Sequence, residues 1–188
     1  MKMRLPILLL FLCSMATLSH GQQILVKAGS LTTGLSTTMG YTDYAPLSSF
    51  QLGAQSEASW DHGGGADVAP ARPLEVQFTK HVDAFSNQLN YRIAKGTSIP
   101  KMEIIWLVTN SKGAPAVAHK VEIEDVFITE IMNSSAEDCA SCFMIAESYK
   151  AVYKTMKRTV YRQDIKTGNY SIANVFTWDV SGGNSELD

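Results

Sequence analysis

The chain is poor in cysteine and lacks any block of like charge. Its 188 residues include three Cys, 16 Lys and Arg, and 18 Asp and Glu. Because the basic and acidic residues are nearly equal in number, we expect no basic face, which argues against a nucleic-acid-binding protein. No second Cys or His pair accompanies the two neighbouring cysteines at zinc spacing, which argues against a zinc site. The length suits one well-cored domain and is short for two.

The sequence motifs of common enzymes are also missing. There is no Gly-x-Ser-x-Gly nucleophile elbow, no phosphate-binding loop and no His-Glu-x-x-His. His62 lies beside three glycines, a poor setting for a preorganised site, so we interpret it as a solvated loop residue. His81 and His119 fall on predicted strands, where we expect polar-face positions. We therefore predict no catalytic residues, no cofactor and no metal, and a protein that is not an enzyme.

Residues 1–21 differ in character from the rest of the chain. A short positive region precedes the apolar stretch Leu5–Leu12, and Ser19 and Gly21 supply small side chains at a cleavage site. This layout predicts a Sec signal peptide. An uncleaved anchor helix is the alternative, which the short apolar stretch disfavours. We therefore expect residues 22–188 to form a single exported domain, secreted or periplasmic, without a membrane span.

Two cysteines remain after that cleavage, Cys139 and Cys142, in the sequence Cys-Ala-Ser-Cys. In an oxidising compartment we expect them to form a short local disulfide. A redox-active pair is the alternative, but such pairs follow a strand and open a helix. Here the pair lies in a polar stretch between two strand-like segments, which favours the structural disulfide.

The clearest secondary-structure pattern is the alternation over Leu74–Val82, which predicts a strand with one buried face, interrupted by Lys80. After it, Ser86 is the predicted N-cap of a helix of about ten residues, because its hydroxyl can accept a bond from first-turn amides. Gly96 is the predicted stop of that helix. We expect no other helix of comparable clarity.

Sequence patterns in the second half of the chain predict strands. The apolar run Met102–Thr109 predicts a buried strand, and the return strand Val117–Ile131 needs a β-bulge near Asp125 to keep its apolar residues on one face. Ser148–Arg162 fits both a helix and a strand, and its aromatic and β-branched content favours the strand. With the closing strand Ser171–Val180, the pattern predicts a mainly β sandwich or barrel.

Several segments, in this order, resemble the haemolysin-coregulated protein (Hcp) family, the tube subunit of type VI secretion systems. The strongest is Leu74–Asp83, similar to the family's Phe-Thr-Lys-x-Val-Asp strand. The helix and its glycine stop follow it, as in that family. The supporting segments are Ser48–Gly53, Ser86–Leu89, Ala94–Gly96, Val121–Val126 and Thr177–Val180. The resemblance covers most of residues 24–180.

This resemblance implies two β-sheets arranged as a barrel or sandwich, with one short helix alongside. It also implies a non-enzymatic protein that forms six-membered rings, with itself and secreted effector proteins as partners. Family members leave through the secretion apparatus, whereas this chain has a predicted Sec signal. It is therefore expected to be an Hcp-like domain used in the periplasm or outside the cell. The glycosylation patterns at Asn133 and Asn169 are interpreted as chance matches in a bacterial protein.

Glu122 and Glu124 alternate onto one solvent face of the return strand. A glycosidase would need paired carboxylates flanking a cleft, which two residues on one strand face do not provide. We interpret them as a solvent-exposed strand face, or as one side of a ring contact with Lys150, Lys154, Lys157 and Arg158. Of these, Lys154 and Lys157 are the candidate contact residues. Two functions remain open, a self-assembling structural protein and a secreted binding module with a ligand at the barrel mouth.

Overall fold

The computed structural model describes residues 22–60, 63–111, 113–135 and 145–188. Within these ranges a short 3-10 helix, Gly29–Thr32, follows the first strand. The fourteen strands and the α-helix of this part of the chain are β1 (Gln23–Lys27), β2 (Ala45–Leu47), β3 (Ser49–Gln51), β4 (Ala54–Gln55), β5 (Ala58–Trp60), β6 (Ala66–Val68), β7 (Arg72–Pro73), β8 (Val76–His81), α1 (Ala84–Lys95), β9 (Ile99–Thr109), β10 (Pro115–Ser135), β11 (Ile145–Val152), β12 (Thr155–Gln163), β13 (Tyr170–Asp179) and β14 (Asn184–Leu187).

The long strand β10 joins two regions of one antiparallel sheet. Its first half pairs with β9 on one side and β12 on the other, and its second half pairs with β11. From β9 the sheet continues to β1 and β2, and from β12 to β13 and β14. From β11 it continues to β8 and β3. The mainly β fold with two sheet regions and one helix is confirmed, and the strands of the described ranges form no closed barrel.

The two regions meet where β10 bends at Asp125. Val121 and Ile123 are buried before the bend and Val126 and Ile128 after it, so the inward phase changes by one residue as predicted. The cause is the left-handed backbone of Asp125, with φ of 50°. The predicted β-bulge is wrong, because the pairing register with β9 is unbroken across this residue. On its other edge, β10 changes its pairing partner at the same residue, from β12 before Asp125 to β11 after it.

The hydrophobic core lies between the two sheet regions and α1. Phe85 and Leu89 of α1 are fully buried against it, and Phe78 of β8 stacks on Tyr149 of β11 with ring centroids 4.9 Å apart. The other buried members are Val26, Ala28, Ala45, Leu47, Val76, Ile99, Met102, Ile104, Val121, Ile123, Val126, Ile128, Ala151, Tyr153 and Met156. This continuous apolar contact between regions far apart in the chain stabilises the fold through hydrophobic burial.

The start of α1 differs from the prediction and its end agrees with it. The N-cap is Asp83, whose carboxylate accepts hydrogen bonds from the backbone amides of Phe85 and Ser86. Ser86, the predicted N-cap, lies at the third helical position, and its hydroxyl accepts from the Asp83 amide. The two side chains form a reciprocal capping box. Gly96 ends the helix with a left-handed φ of 62°, which confirms the predicted stop.

The predicted strands are found with shorter or longer limits. β8 is shorter than the alternation suggested, so Leu74 and Val82 are exposed rather than buried. The ambiguous segment Ser148–Arg162 is strand, divided between β11 and β12. The predicted hairpin between the apolar run and the return strand is confirmed by the antiparallel β9–β10 pair.

Residues 54–60 and 63–73 leave the main sheet and are here called the arm. Two short antiparallel pairs, β4 with β7 and β5 with β6, form it. Its described residues are exposed except for Pro73, which is half-buried. A two-stranded ribbon of this size has little stability by itself, because it has no second layer to cover either face.

Candidate functional site

The outward faces of β9, β10 and β12 carry a band of alternating charge, here called the charged face. Glu122 lies at its centre, with its carboxylate 2.7 Å from the amino group of Lys101 and 3.1 Å from that of Lys120. Glu103 and Glu124 extend the band, 3.6 Å from Lys120 and 3.8 Å from Lys101 respectively. The alternation of β10 sends its neighbouring Val and Ile residues inward, which leaves these charges on the outer side.

The charged face is electrostatically satisfied within one chain. Partial burial by itself would raise the pKa of Glu122. The hydrogen bonds from Lys101 and Lys120 and their positive charges outweigh this effect, so the pKa of Glu122 is lowered. The pKa of Lys101 is raised, first by its hydrogen bond to Glu122. Glu122 therefore stays ionised at neutral pH, and only 13% of its side chain is exposed.

The four residues predicted to make ring contacts do not form one cluster. Glu122 and Glu124 share the outer face as predicted, and Lys157 is the direct cross-strand partner of Glu122 in the same chain. Lys154 lies at the bend, where its amino group is 3.9 Å from the carboxylate of Asp125. Within the described ranges Lys157 has no ion pair of its own, so it keeps a free charge. The predicted contact between copies remains a prediction.

A buried ion network connects β8, α1 and β11, and we use that name for Lys80, Asp83, Ser86, Glu147 and Tyr149. The amino group of Lys80 is fully buried, 2.8 Å from the carboxylate of Asp83 and 3.3 Å from that of Glu147. It also donates to the Ser86 hydroxyl at 2.7 Å. The same Glu147 oxygen accepts from the hydroxyls of Ser86 and Tyr149. Each charged group of the network therefore has partners.

Sequence reasoning missed this network. Lys80 was expected to interrupt the buried face of its strand, but it occupies a buried position in phase with Val76 and Phe78. Burial raises the pKa of Glu147, and the hydrogen bonds and the charge of Lys80 more than reverse this, so its pKa is lowered. A lysine at an inward position of an alternating strand was the available signal, since a buried charge requires a partner.

Some of the remaining predicted positions lie in the described ranges and others lie outside them. Cys139, Cys142 and His62 lie outside the described residues, so the predicted disulfide and the loop assignment remain predictions. His81 is exposed, as expected for the polar face. His119 was expected there too, but it is half-buried, stacked on Trp106 at 4.5 Å.

The described ranges contain no cluster of three or more His, Cys, Asp or Glu side chains arranged to hold a metal ion. No helix in them has the length and apolar character needed to cross a membrane.

The arm has one apolar face and one polar face. In the β5–β6 register Ala58 lies opposite Val68, and Trp60 lies opposite Ala66, so these four side chains share one side. Trp60 is 81% exposed and Val68 is 60% exposed, although both are large and apolar. Exposed apolar surface of this kind on a projecting element is typical of interaction sites.

The fold is similar to those of several solved type VI secretion proteins. One, a type six secretion system protein, aligns with a TM-score of 0.77 at 17% identity, covering 88% of this chain and 100% of that chain. Hcp1 from Salmonella typhimurium aligns with a TM-score of 0.66 at 17% identity, covering 88% and 99%. Secreted protein Hcp3 from Pseudomonas aeruginosa gives 0.58 at 17% identity, covering 86% and 98%. The class defined by this architecture is that of Hcp-fold proteins.

The sequence itself supports the same assignment. The family model described as type VI secretion system effector, Hcp, matches residues 23–160. The match spans well over half of the chain, so the chain belongs to the Hcp family, and the resemblance noted from its motifs is confirmed. A comparison with curated proteins gave no match.

Proposed function

We propose that the protein is a non-enzymatic, self-associating Hcp-type subunit that forms rings and serves type VI secretion as a tube subunit or effector. Family membership supports the class of function. The fold likeness to two solved relatives covers 88% of this chain and nearly the whole length of each relative, which supports the same class.

The uncovered apolar face of the arm is the observation that carries self-association. Trp60 and Val68 remain exposed in a single chain, on an element without a second layer. Aromatic side chains of this size contribute most of the binding energy at many protein interfaces. A neighbouring copy would cover this face, and a ring provides such a neighbour to every subunit.

The charged face contributes orientation rather than most of the affinity. Glu122 is already neutralised by Lys101 and Lys120 of its own chain. Glu124 is half-exposed, and Lys154 and Lys157 are exposed. We propose that these three less engaged charges, with Glu122 behind them, meet opposite charges of neighbouring copies. Rim charges of this kind affect the rate of association and its salt dependence more than its strength.

We further propose that residues 1–21 direct export by the Sec pathway and are then removed. This places residues 22–188 in the periplasm or outside the cell, where Cys139 and Cys142 would be oxidised to a disulfide. Secreted effector proteins are the further partners that this role implies. N-terminal sequencing of protein from the periplasmic fraction is expected to begin at Gln22. Full-length precursor confined to the cytoplasm would contradict this route.

The mass of purified residues 22–188 in solution tests self-association directly, by light scattering after size-exclusion chromatography. A mass of six chains is expected. The charge contact is tested in the same assay with Lys154→Glu plus Lys157→Glu, which should reduce the oligomer. Lys166→Glu, at an exposed lysine of the turn between β12 and β13, is the control. A monomeric wild-type protein would contradict the proposal and favour a binding module on the same fold.

A further inference from the structure

A pocket of about 520 Å³, here called the basic pocket, opens between the end of α1, the short 3-10 helix and the first residues of β9. Its walls are mostly apolar, and the apolar wall residues are Ala28, Leu31, Ile99 and Pro100. A hollow of this volume, with apolar walls and a few convergent polar groups, is typical of small-molecule sites.

Three of the four charged side chains that line the basic pocket are basic. Two of these have a carboxylate partner, because Lys27 is 3.4 Å from Asp43 and Lys101 is 2.7 Å from Glu122. The acidic one, Glu103, is engaged by a tyrosine hydroxyl and a lysine that lie outside the pocket. These three charges are therefore largely compensated within the chain.

The third basic side chain, Arg92, has no counterion. Its guanidinium donates one hydrogen bond, at 2.9 Å, to the backbone carbonyl of Ser98, and it forms no ion pair within the described ranges. A guanidinium carries five N–H donors in a planar fork, which fits a carboxylate with two parallel hydrogen bonds. Arg92 is half-buried, so an anion bound to it would be partly shielded from water and held more strongly.

The apolar walls and the unpaired guanidinium together define the ligand that fits the pocket. A small inorganic anion would pair with Arg92 but would leave the apolar walls in contact with water. A neutral apolar molecule would cover the walls but would leave the guanidinium without a counterion. A molecule with an apolar chain and one negative group satisfies both, and the planar fork of arginine suits a carboxylate.

We propose that the basic pocket binds a small apolar carboxylic acid, of the medium-chain fatty acid class, whose ionised carboxylate pairs with Arg92. The apolar chain of the ligand lies against Leu31 and Ile99. This binding activity goes beyond self-association and does not depend on it, because every residue of the pocket belongs to one chain.

Isothermal titration calorimetry of the purified protein with octanoate tests the proposal. Octanoate is expected to bind, whereas 1-octanol, which lacks the charge, and acetate, which lacks the chain, should each bind at least about 10-fold more weakly. This factor corresponds to the loss of one hydrogen bond to a charged group.

Variants assign the binding to the pocket. Arg92→Gln should lose at least about 10-fold in affinity for octanoate and should no longer prefer it to 1-octanol. Lys95→Gln is the matched control, because Lys95 is also a basic residue of the last turn of α1 but lies outside the pocket, and it should bind like the wild type.

A second variant keeps the test valid if Arg92→Gln does not fold, which circular dichroism checks. Ser30 is an exposed residue of the pocket wall, so Ser30→Glu adds a negative charge there without changing a buried group. Repulsion between this carboxylate and the bound anion should also weaken octanoate binding.

The outcomes separate this site from the proposed function. Equal octanoate binding by the wild type and Arg92→Gln, equal wild-type binding of octanoate and 1-octanol, or no octanoate binding overturns the site. Light scattering of the same samples gives the oligomer mass independently. Rings that do not bind octanoate would overturn the site alone, and a monomer that binds octanoate through Arg92 would overturn self-association alone.

Discussion

Replacing Glu147 by Gln tests how the buried ion network stabilises the fold. The substitution removes the carboxylate that lies 3.3 Å from the amino group of Lys80, which has no exposed surface. Lys80 keeps Asp83 at 2.8 Å, but the Asp83 side chain is 24% exposed and therefore partly solvated. Removing one partner of a buried ion pair typically costs about 3–5 kcal/mol. We expect about 3 kcal/mol, the lower end, because Asp83 still compensates the charge.

That loss is large beside the total stability of a domain of this size, about 5–15 kcal/mol. Urea unfolding at neutral pH measures it as a lower midpoint with an unchanged slope. The matched control is Lys150→Gln, which breaks the partly exposed pair of Lys150 with Glu130 at 2.9 Å. Such surface pairs contribute under about 1 kcal/mol, so the control should unfold nearly like the wild type.

A double variant separates the charge effect from general damage to the core. Lys80→Met combined with Glu147→Gln removes both charges, and the cost should be well below the sum of the single costs, because neither charge is left uncompensated. Additive costs, or a Glu147→Gln midpoint equal to that of the control, would refute the reasoning.

Two further predictions concern the bend and the charged face. Lys101 and Lys120 lower the pKa of Glu122 in the folded protein despite its partial burial. The ionised Glu122 therefore stabilises the fold at neutral pH. This contribution is lost as the pH falls below the ordinary pKa of 4.5 and through the lower pKa of the folded state. The free energies of unfolding of the wild type and Glu122→Gln, measured with urea, should therefore differ by about 1–2 kcal/mol at neutral pH and converge in acid; a constant difference would contradict the sign. The left-handed backbone of Asp125 costs about 1–2 kcal/mol, and Asp125→Gly removes this cost. Glycine also makes the unfolded chain more flexible, which offsets about 0.5–1 kcal/mol of the gain. Thermal unfolding should show a variant at least as stable as the wild type, whereas a loss of stability would mean that the Asp125 side chain has a structural role.

Sequence patterns determined the features that depend on neighbouring residues. The alternation of β8, the stop of α1 at Gly96, and the outward placement of Glu122 and Glu124 were predictable, because side-chain direction in a strand and the left-handed preference of glycine are local properties. The phase change at Asp125 was also visible, although its cause was assigned to a bulge. Family motifs, which combine several such local patterns in order, gave the fold class.

Only the tertiary structure decided which distant residues meet. Lys80 and Glu147 are 67 positions apart, and their contact depends on the β8–β11 register, which neither segment encodes by itself. The position of Lys154 at the bend, away from Lys157, likewise follows from the interruption between β11 and β12. The exposed apolar face of the arm is visible only once the sheet has formed, because the exposure of Trp60 measures what the rest of the chain leaves uncovered. Strand periodicity specifies faces, whereas long-range register and packing specify partners.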